Sequence, residues 1–211
     1  MIKYIDKKNT YIDETVKIGD KTTIYPNVFI EGNTTIGENC IIYPGCYIKD
    51  SKIGSNTIIY NSQILDSVIG SDNRIGPYSN IRPGNVTKDN VKIGSFVELK
   101  NTSIDTGSKV PHLAYIGDTE IGKNVSIGCG VITVNYDGTN KNKTIIKDDS
   151  FIGCNVNLIA PVTINENAMI GAGSTITSDV PKNSLGIARS RQTNIENYNK
   201  KQVVKWKKVL P

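Results

Sequence analysis

The feature that most constrains the fold is a six-residue spacing of aliphatic residues along most of the 211-residue chain. Two stretches illustrate this phase, namely Ile18, Ile24, Ile30, Ile36, Ile42 and Ile48, and then Ile146, Ile152, Leu158, Ile164, Ile170 and Ile176. The spacing matches neither the roughly 3.6-residue repeat of a helix nor the two-residue repeat of a single strand. It predicts a prism with three flat sides, in which about 18 residues form one coil and the aliphatic side chains point to the axis. A single coil cannot bury its apolar face alone, so the coils are expected to stack as parallel strands.

The repeat also divides the chain into parts. It covers residues 1–188, which we interpret as one all-β domain. The polar segment "NYDGTNKNKT" at 135–144 lacks the repeat and is expected to form an excursion loop, because Cys129 and Cys154 occupy equivalent positions in successive coils but lie 25 residues apart. Residues 189–211 leave the repeat and are expected to form a basic C-terminal arm or short helix.

Composition and charge exclude several functions. The net charge is +5, but seven Lys and Arg residues and one Glu lie between Arg189 and Lys208, so the rest of the chain is close to neutral. We expect no nucleic-acid partner, because this body has no basic face. The N-terminus has no apolar leader, and no apolar run is long enough to cross a membrane. One histidine and four cysteines without a CxxC pattern argue against a metal site and favour a reduced, cytoplasmic protein.

The phase of the repeat predicts which side chains stack on the outer surface, since residues one coil apart lie about 4.8 Å from each other. The only histidine, His112, follows an in-phase valine by two positions, and three small residues occupy the same position in later coils. One outer column therefore contains His112, Cys129, Cys154 and Ala172. On an adjoining side, Arg82 and Lys100 each follow an in-phase aliphatic residue by one position, so they are expected to stack as a cationic pair.

The spacing alone leaves two interpretations of these residues open. Histidine is the usual proton-transfer side chain, and a groove floored by small side chains fits a long thin ligand, but His112 is also compatible with a surface imidazole. Arg82 and Lys100 together suit a phosphate group. They are equally compatible with projection into solvent, where Lys100 would pair with Glu98.

Longer motifs resemble those of one family. They are "IRPG" (81–84), "FVELKN" (96–101), "HLAYIGDTEIG" (112–122), "IGCGVITVNYDGTNKNKT" (127–144), "APVTI" (160–164), "GAGSTITSDVP" (171–181) and "ARSRQ" (188–192). Together they closely resemble the acetyltransferase domain of the bifunctional N-acetylglucosamine-1-phosphate uridylyltransferase / glucosamine-1-phosphate N-acetyltransferase family. The resemblance implies a left-handed parallel β-helix of hexapeptide repeats, acetyl-CoA as co-substrate, and a homotrimer with sites between neighbouring chains. It also implies a part in UDP-GlcNAc and peptidoglycan precursor synthesis. Nothing in the sequence resembles the family's nucleotide loop, so we expect no uridylyltransferase activity from this chain.

The resemblance further implies a role for individual residues. His112 matches the general base of a direct acetyl transfer to glucosamine 1-phosphate that needs no metal. The implied substrate-binding residues are Arg82, Lys100, Tyr115, Ser126, Asn135 and Lys141. The implied acetyl-CoA-binding residues are Cys129, Asn135, Tyr136, Cys154, Ala172 and Arg189.

Two positions depart from the family pattern. Ser126 stands where an asparagine is usual, so another acceptor such as galactosamine 1-phosphate is an alternative. Cys154 stands where a serine is usual, and a thiol is a weaker donor to the coenzyme. A non-catalytic trimeric hexapeptide-repeat module is the other alternative. For an active enzyme, we expect Glu98 to orient His112 and a backbone N–H near Cys129 to stabilise the thioester oxyanion.

Overall fold

The computed structural model of the protein describes residues 1–196. They form an all-β parallel solenoid of about 10 turns with about 18 residues per turn, which confirms the predicted fold class. Each coil contributes short strands to three sides, named face A, face B and face C in chain order. Strands of successive coils pair in parallel and in register, so that Ile30 lies beside Ile48 and Ile48 beside Ile64.

The strands are short because a corner follows every few residues. Those of face A are Lys3–Tyr4, Thr23–Ile24, Ile41–Ile42, Ile58–Ile59, Arg74–Ile75, Ser126–Ile127, Phe151–Ile152, Met169–Ile170 and Leu185–Gly186. Those of face B are Thr10–Ile12, Val28–Glu31, Tyr47–Lys49, Gln63–Leu65, Asn80–Ile81, Ile132–Val134, Asn157–Ile159 and Thr175–Ile176. Those of face C are Lys17–Ile18, Thr35–Ile36, Lys52–Ile53, Val68–Ile69, Val86–Thr87, Ser103–Ile104, Thr119–Ile121, Thr144–Ile146 and Val162–Ile164. Two long strands, Lys92–Lys100 and Lys109–Gly117, run through faces A and B, and a 3-10 helix spans Lys7–Asn9.

The axis of the solenoid is filled by the side chains that the repeat predicted. Ile24, Ile42 and Ile59 are fully buried, as are small residues at the inward corner positions, including Cys40 and Cys46. Burial raises the pKa of the Cys46 thiol to about 11, so this cysteine behaves as a small core residue rather than a nucleophile. One continuous apolar core therefore supports every coil.

Every coil from Asn27 to Gly173 has a positive φ at the corner between faces A and B. Most coils place Asn or Gly there, as at Asn27, Gly45, Asn61, Gly130, Asn155 and Gly173. Three successive coils instead place bulky residues, with φ of 60° at Tyr78, 58° at Phe96 and 36° at Leu113, a conformation that such residues rarely adopt. All three are exposed, and the Tyr78 and Phe96 rings stack at 5.3 Å between centroids. We name these three residues the corner ladder.

The segment at 135–144 leaves the solenoid as a loop between Val134 and Thr144. An antiparallel bridge between Tyr136 and Lys141 closes it. Inside the loop, the Asp137 carboxylate accepts hydrogen bonds from the backbone N–H groups of Thr139 (2.8 Å) and Asn140 (2.6 Å), which lower the Asp137 pKa. The loop therefore has a defined shape that fixes where its side chains lie.

The predicted C-terminal arm is described only in part. Residues 189–196 continue past the last coil without a strand or helix, and residues 197–211 lie outside the described residues. Within residues 1–196, no helix has the length and apolar character needed to cross a membrane.

Candidate active site

His112 lies on the long strand Lys109–Gly117, at the corner between faces A and B. It is exposed and aligned with Ser95 of the preceding coil. The preceding coil packs closely against the backbone here, because a Cβ added to Gly94 would overlap the carbonyl oxygen of Pro111. The exposed imidazole projects outward from this closely packed corner, as the phase of the repeat predicted.

A column of small residues, Cys129, Cys154 and Ala172, follows His112 along the solenoid axis, and we name the surface over this column the groove. Ile127 pairs with Ile152 and Ile152 with Ile170, so Cys129, Cys154 and Ala172, each two positions later, follow one another in successive coils. The coils approach closely here, since a Cβ added to Gly128 or Gly153 would lie 2.6 Å from the backbone nitrogen of Cys154 or Ala172. At about 4.8 Å per coil, Ala172 lies roughly 14 Å from His112.

Arg189 lies at the far end of this groove. Its Cδ atom lies 3.9 Å from the position that a Cβ would take on Gly173, which places the side chain beside Ala172. The residue is exposed. The column that begins with His112 therefore ends at a cation.

Arg82 and Lys100 follow the paired residues Ile81 and Leu99 on face B, so they occupy the stacked positions that the repeat predicted. Each has its own carboxylate. The Arg82 Nη1 atom lies 2.9 Å from Glu98 Oε1, and the Lys100 Nζ atom lies 3.8 Å from Asp118 Oδ2. The alternative that pairs Lys100 with Glu98 is therefore wrong. Glu98 is aligned with Tyr115 and engages Arg82, so its expected role in orienting His112 has no support in this geometry.

A compact polar cluster surrounds Asp118 at the corner between faces B and C. The Asn101 Nδ2 atom donates to Asp118 Oδ1 at 2.7 Å, and the Asn135 Nδ2 atom donates to Asp118 Oδ2. Burial acts to raise the Asp118 pKa, but the two amide hydrogen bonds and the Lys100 and Lys141 charges outweigh it, so this pKa lies below its ordinary value. Asp118 is therefore a carboxylate at neutral pH.

The loop brings Lys141 to the same cluster. The neighbouring Lys100 ammonium lowers the Lys141 pKa, while Asp118 and Tyr115 act in the opposite direction. Lys143, two residues later, points elsewhere and pairs with Glu120 at 2.5 Å. Two ammonium groups therefore lie close together, an arrangement that favours binding of an anion.

Tyr115 lies between His112 and the Asp118 cluster on the same strand. A Cβ on Gly117 would lie 2.6 Å from the Tyr115 hydroxyl oxygen and 2.8 Å from Asn135 Nδ2, so this glycine leaves room for both groups. The structure thus brings together five of the six implied substrate-binding residues on or beside face B: Arg82, Lys100, Tyr115, Asn135 and Lys141.

Two implied residues lie apart from this group within one chain. Ser126 lies on face A, on the other side of the His112 corner, where it pairs with Phe151. Tyr136 is exposed in the loop, and its hydroxyl donates to the Gly138 carbonyl oxygen at 2.6 Å.

Asp118 and Asn101 belong to this polar cluster but are not among the residues that the sequence predicted. Asn101, Asp118 and Asn135 recur at intervals of 17 residues, so they occupy one corner position in three successive coils. This 17-residue spacing is the same signal that predicts the His112 column, and it indicates that the three residues stack at the corner between faces B and C.

Comparison with known families gives this geometry a context. A family model described as the GMPPB C-terminal domain matches residues 7–104, and one described as bacterial transferase hexapeptide (six repeats) matches residues 143–178. The bifunctional protein GlmU of Shouchella clausii is 52% identical over 202 residues, which are 96% of this chain and 44% of that protein. The GlmU of Geobacillus sp. strain WCH70 is 54% identical over 197 residues, which are 93% of this chain and 43% of that protein. The chain corresponds to the C-terminal acetyltransferase region of GlmU and spans less than half the length of these relatives.

A solved structure supports the fold independently. The UDP-N-acetylglucosamine acyltransferase of Francisella novicida superposes on this chain with a TM-score of 0.62 and 22% sequence identity. The match covers 89% of this chain and 67% of that one. The likeness is one of fold, shared among hexapeptide-repeat proteins.

Proposed function

We propose that this protein transfers the acetyl group of acetyl-CoA to the amino group of glucosamine 1-phosphate. One observation carries the proposal: a chain that corresponds to the C-terminal acetyltransferase region of GlmU places a lone histidine between a cationic cluster and a groove floored by small residues. The cluster suits the phosphate of the acceptor, and the groove suits the thin pantetheine arm of the donor. This arrangement also argues against a non-catalytic module, which would need neither feature.

The acceptor lies across face B over Tyr115 in this proposal. Its phosphate contacts Arg82, Lys100 and Lys141, and its amine points to His112. Lys100 is aligned with Gly117, five residues along the strand from His112. Because the strand turns at Leu113, the two backbones lie at most roughly 16 Å apart. The long cationic side chains extend toward the substrate from one end of this span, and the imidazole extends from the other end. A hexosamine phosphate therefore fits between the cationic groups and the imidazole.

The reaction is a direct transfer. His112 accepts a proton from the amine as the nitrogen attacks the thioester carbonyl, and a tetrahedral intermediate forms. A backbone N–H near Cys129 donates to the oxyanion. The carbon–sulfur bond then breaks, and the proton held by His112 passes to the leaving thiolate. Because Arg82, Lys100 and Lys141 hold the phosphate of the acceptor before the reaction, the amine is directed at the carbonyl carbon.

The donor lies along the groove with its thioester beside His112. The pantetheine arm passes Cys129, Cys154 and Ala172, and the nucleotide phosphates lie near Arg189. A side chain that fills the groove should therefore weaken donor binding without touching the acceptor.

Substitution of Ala172 with leucine tests this placement. The KM for acetyl-CoA is expected to rise about tenfold or more, a loss of about 1.4 kcal/mol of binding, while the KM for glucosamine 1-phosphate stays within twofold. Steady-state kinetics with each substrate varied in turn measure both constants. Thr35→Leu on face C is the matched control and should change neither. An unchanged acetyl-CoA KM in the Ala172→Leu variant would place the donor elsewhere.

We further propose that three chains assemble through the corner ladder. Tyr78, Phe96 and Leu113 are 55%, 62% and 59% exposed, and they adopt a strained backbone conformation beside His112. Clustered exposed apolar side chains favour a protein contact. A neighbouring chain seated here would bring its face A, which carries Ser126, toward the face B site.

The decisive experiment for the function measures thiol release from acetyl-CoA by the full 211-residue chain. Release is expected with glucosamine 1-phosphate and is expected to be negligible without an acceptor. A faster rate with galactosamine 1-phosphate would assign the galacto acceptor, the alternative that Ser126 favours. Absence of release with both sugars would support the non-catalytic module instead.

A further inference from the structure

Asp118 holds together residues that the proposed acceptor site requires. It is 9% exposed, and its two carboxylate oxygens contact Asn101, Asn135 and Lys100. We propose that Asp118 is a positioning residue, which fixes the carboxamide of Asn135 and the ammonium group of Lys100 in the orientation that the amino sugar phosphate needs. This inference rests on the proposed function and assigns a role to a residue outside the implied site.

The first argument concerns the direction of the Asn135 side chain. A carboxylate only accepts hydrogen bonds, so the Asn135 NH₂ group must face Asp118. The Asn135 carbonyl oxygen is thereby directed away from the carboxylate and remains available to accept from an N–H or O–H group. Because Asn135 is 8% exposed, a flipped amide would bring two acceptor oxygens together in a buried position. Asp118 therefore determines that Asn135 presents an acceptor to the substrate.

The second argument concerns the two neighbouring lysines. Lys100 and Lys141 repel each other, and Asp118 is the carboxylate that lies 3.8 Å from the Lys100 ammonium group. Without that charge, either the ammonium groups separate or one of them loses its proton more readily. Asp118 thus keeps the Lys100 and Lys141 ammonium groups close together before the phosphate binds.

The third argument is that Asp118 is itself fixed. Asn101 approaches one carboxylate oxygen from the preceding coil, and Asn135 approaches the other from the following coil. The residue lies in the left-handed region, with φ of 49°, at the same kind of corner where this chain uses Asn101. Asparagine tolerates this conformation, so Asp118→Asn removes the charge and the accept-only character while preserving size and backbone.

The test compares Asp118→Asn with a matched control. The control is Asp149→Asn, because Asp149 has φ of 60° and accepts from Asn124 Nδ2 at 3.1 Å, but lies at a different corner. Asp118→Asn is expected to lower kcat/KM for glucosamine 1-phosphate about 10- to 100-fold at saturating acetyl-CoA. Asp149→Asn is expected to leave this value unchanged. Circular dichroism and thermal melting establish that both variants are folded.

The pH profile separates positioning from a purely structural role. Lys141 faces Lys100, Asp118 and Tyr115, and Asp118 acts to raise its pKa. Neutralising Asp118 therefore lowers the Lys141 pKa further, so the alkaline limb of kcat/KM should move to lower pH in Asp118→Asn and stay in place in Asp149→Asn. A structural defect alone would lower the whole profile without moving this limb.

A second variant tests whether Asp118 acts through Asn135. If it does, the loss in kcat/KM of the Asp118→Asn, Asn135→Ala double variant should be clearly smaller than the product of the two single losses. Two results would overturn the proposed role. One is a loss in kcat/KM of the double variant that equals the product of the two single losses, and the other is an Asp118→Asn variant with the rate and pH profile of Asp149→Asn. Absence of turnover by the wild-type protein would overturn the proposed function and this inference together, whereas wild-type turnover with an unaffected Asp118→Asn variant would overturn this inference alone.

Discussion

Replacement of His112 with alanine is expected to lower the rate of acetyl transfer to glucosamine 1-phosphate by about 10²–10⁴-fold. The loss should appear in kcat, because the proposed proton transfer occurs as the carbon–nitrogen bond forms. The KM values for both substrates should change little, since the side chains proposed to bind the phosphate and to line the groove are other than His112. Thiol release from acetyl-CoA at saturating substrate measures the effect.

The position of His112 allows a clean control. The side chain is exposed at a corner, so its truncation should leave the melting temperature close to that of the wild type. Ser95→Ala removes a side chain aligned with His112 one coil earlier and should retain wild-type turnover. If His112→Ala keeps a kcat within threefold of the wild type, another group must accept the proton.

The fold was predictable because one coil repeats the environment of the last. Each inward position, such as Ile48 or Cys46, faces the same axis as its neighbour above and below, so a local period determines burial throughout the solenoid. The corner ladder was not predictable in this way. The period does place Tyr78 and Phe96 at the corner, three residues after the in-phase Ile75 and Ile93. Their residue types, however, argue against a positive φ, which favours Asn or Gly, so the conformation itself could not be predicted.

The site was predictable to the extent that it follows the coil. The groove from Cys129 to Ala172 depends only on register, which the repeat sets. Charge pairing depends on side-chain conformers, so the repeat could not indicate that Glu98 contacts Arg82 rather than Lys100. Lys141 depends on the path of a loop that has no period, so its approach to Lys100 needed the structure.

Replacement of both Tyr78 and Phe96 with asparagine is expected to abolish assembly while leaving the coil folded. Asparagine occupies the same corner position at Asn61 and Asn155, where it adopts a positive φ. Bulky residues held in this conformation cost about 1–3 kcal/mol each, so the substitutions should relieve strain within one chain. The same substitutions remove the exposed aromatic stack that we propose as the contact between chains.

Sedimentation and kinetics together test this expectation. The variant should sediment near the 23.0 kDa mass of a single chain, keep its β-rich circular dichroism spectrum, and lose most of its acetyl transfer, because each proposed site uses two chains. Val86→Thr, which removes an exposed apolar side chain from face C, should keep the assembly and the activity of the wild type. A double variant that still assembles as three chains would show that the contact lies on another surface. A folded single chain with full activity would show instead that each site is complete within one chain.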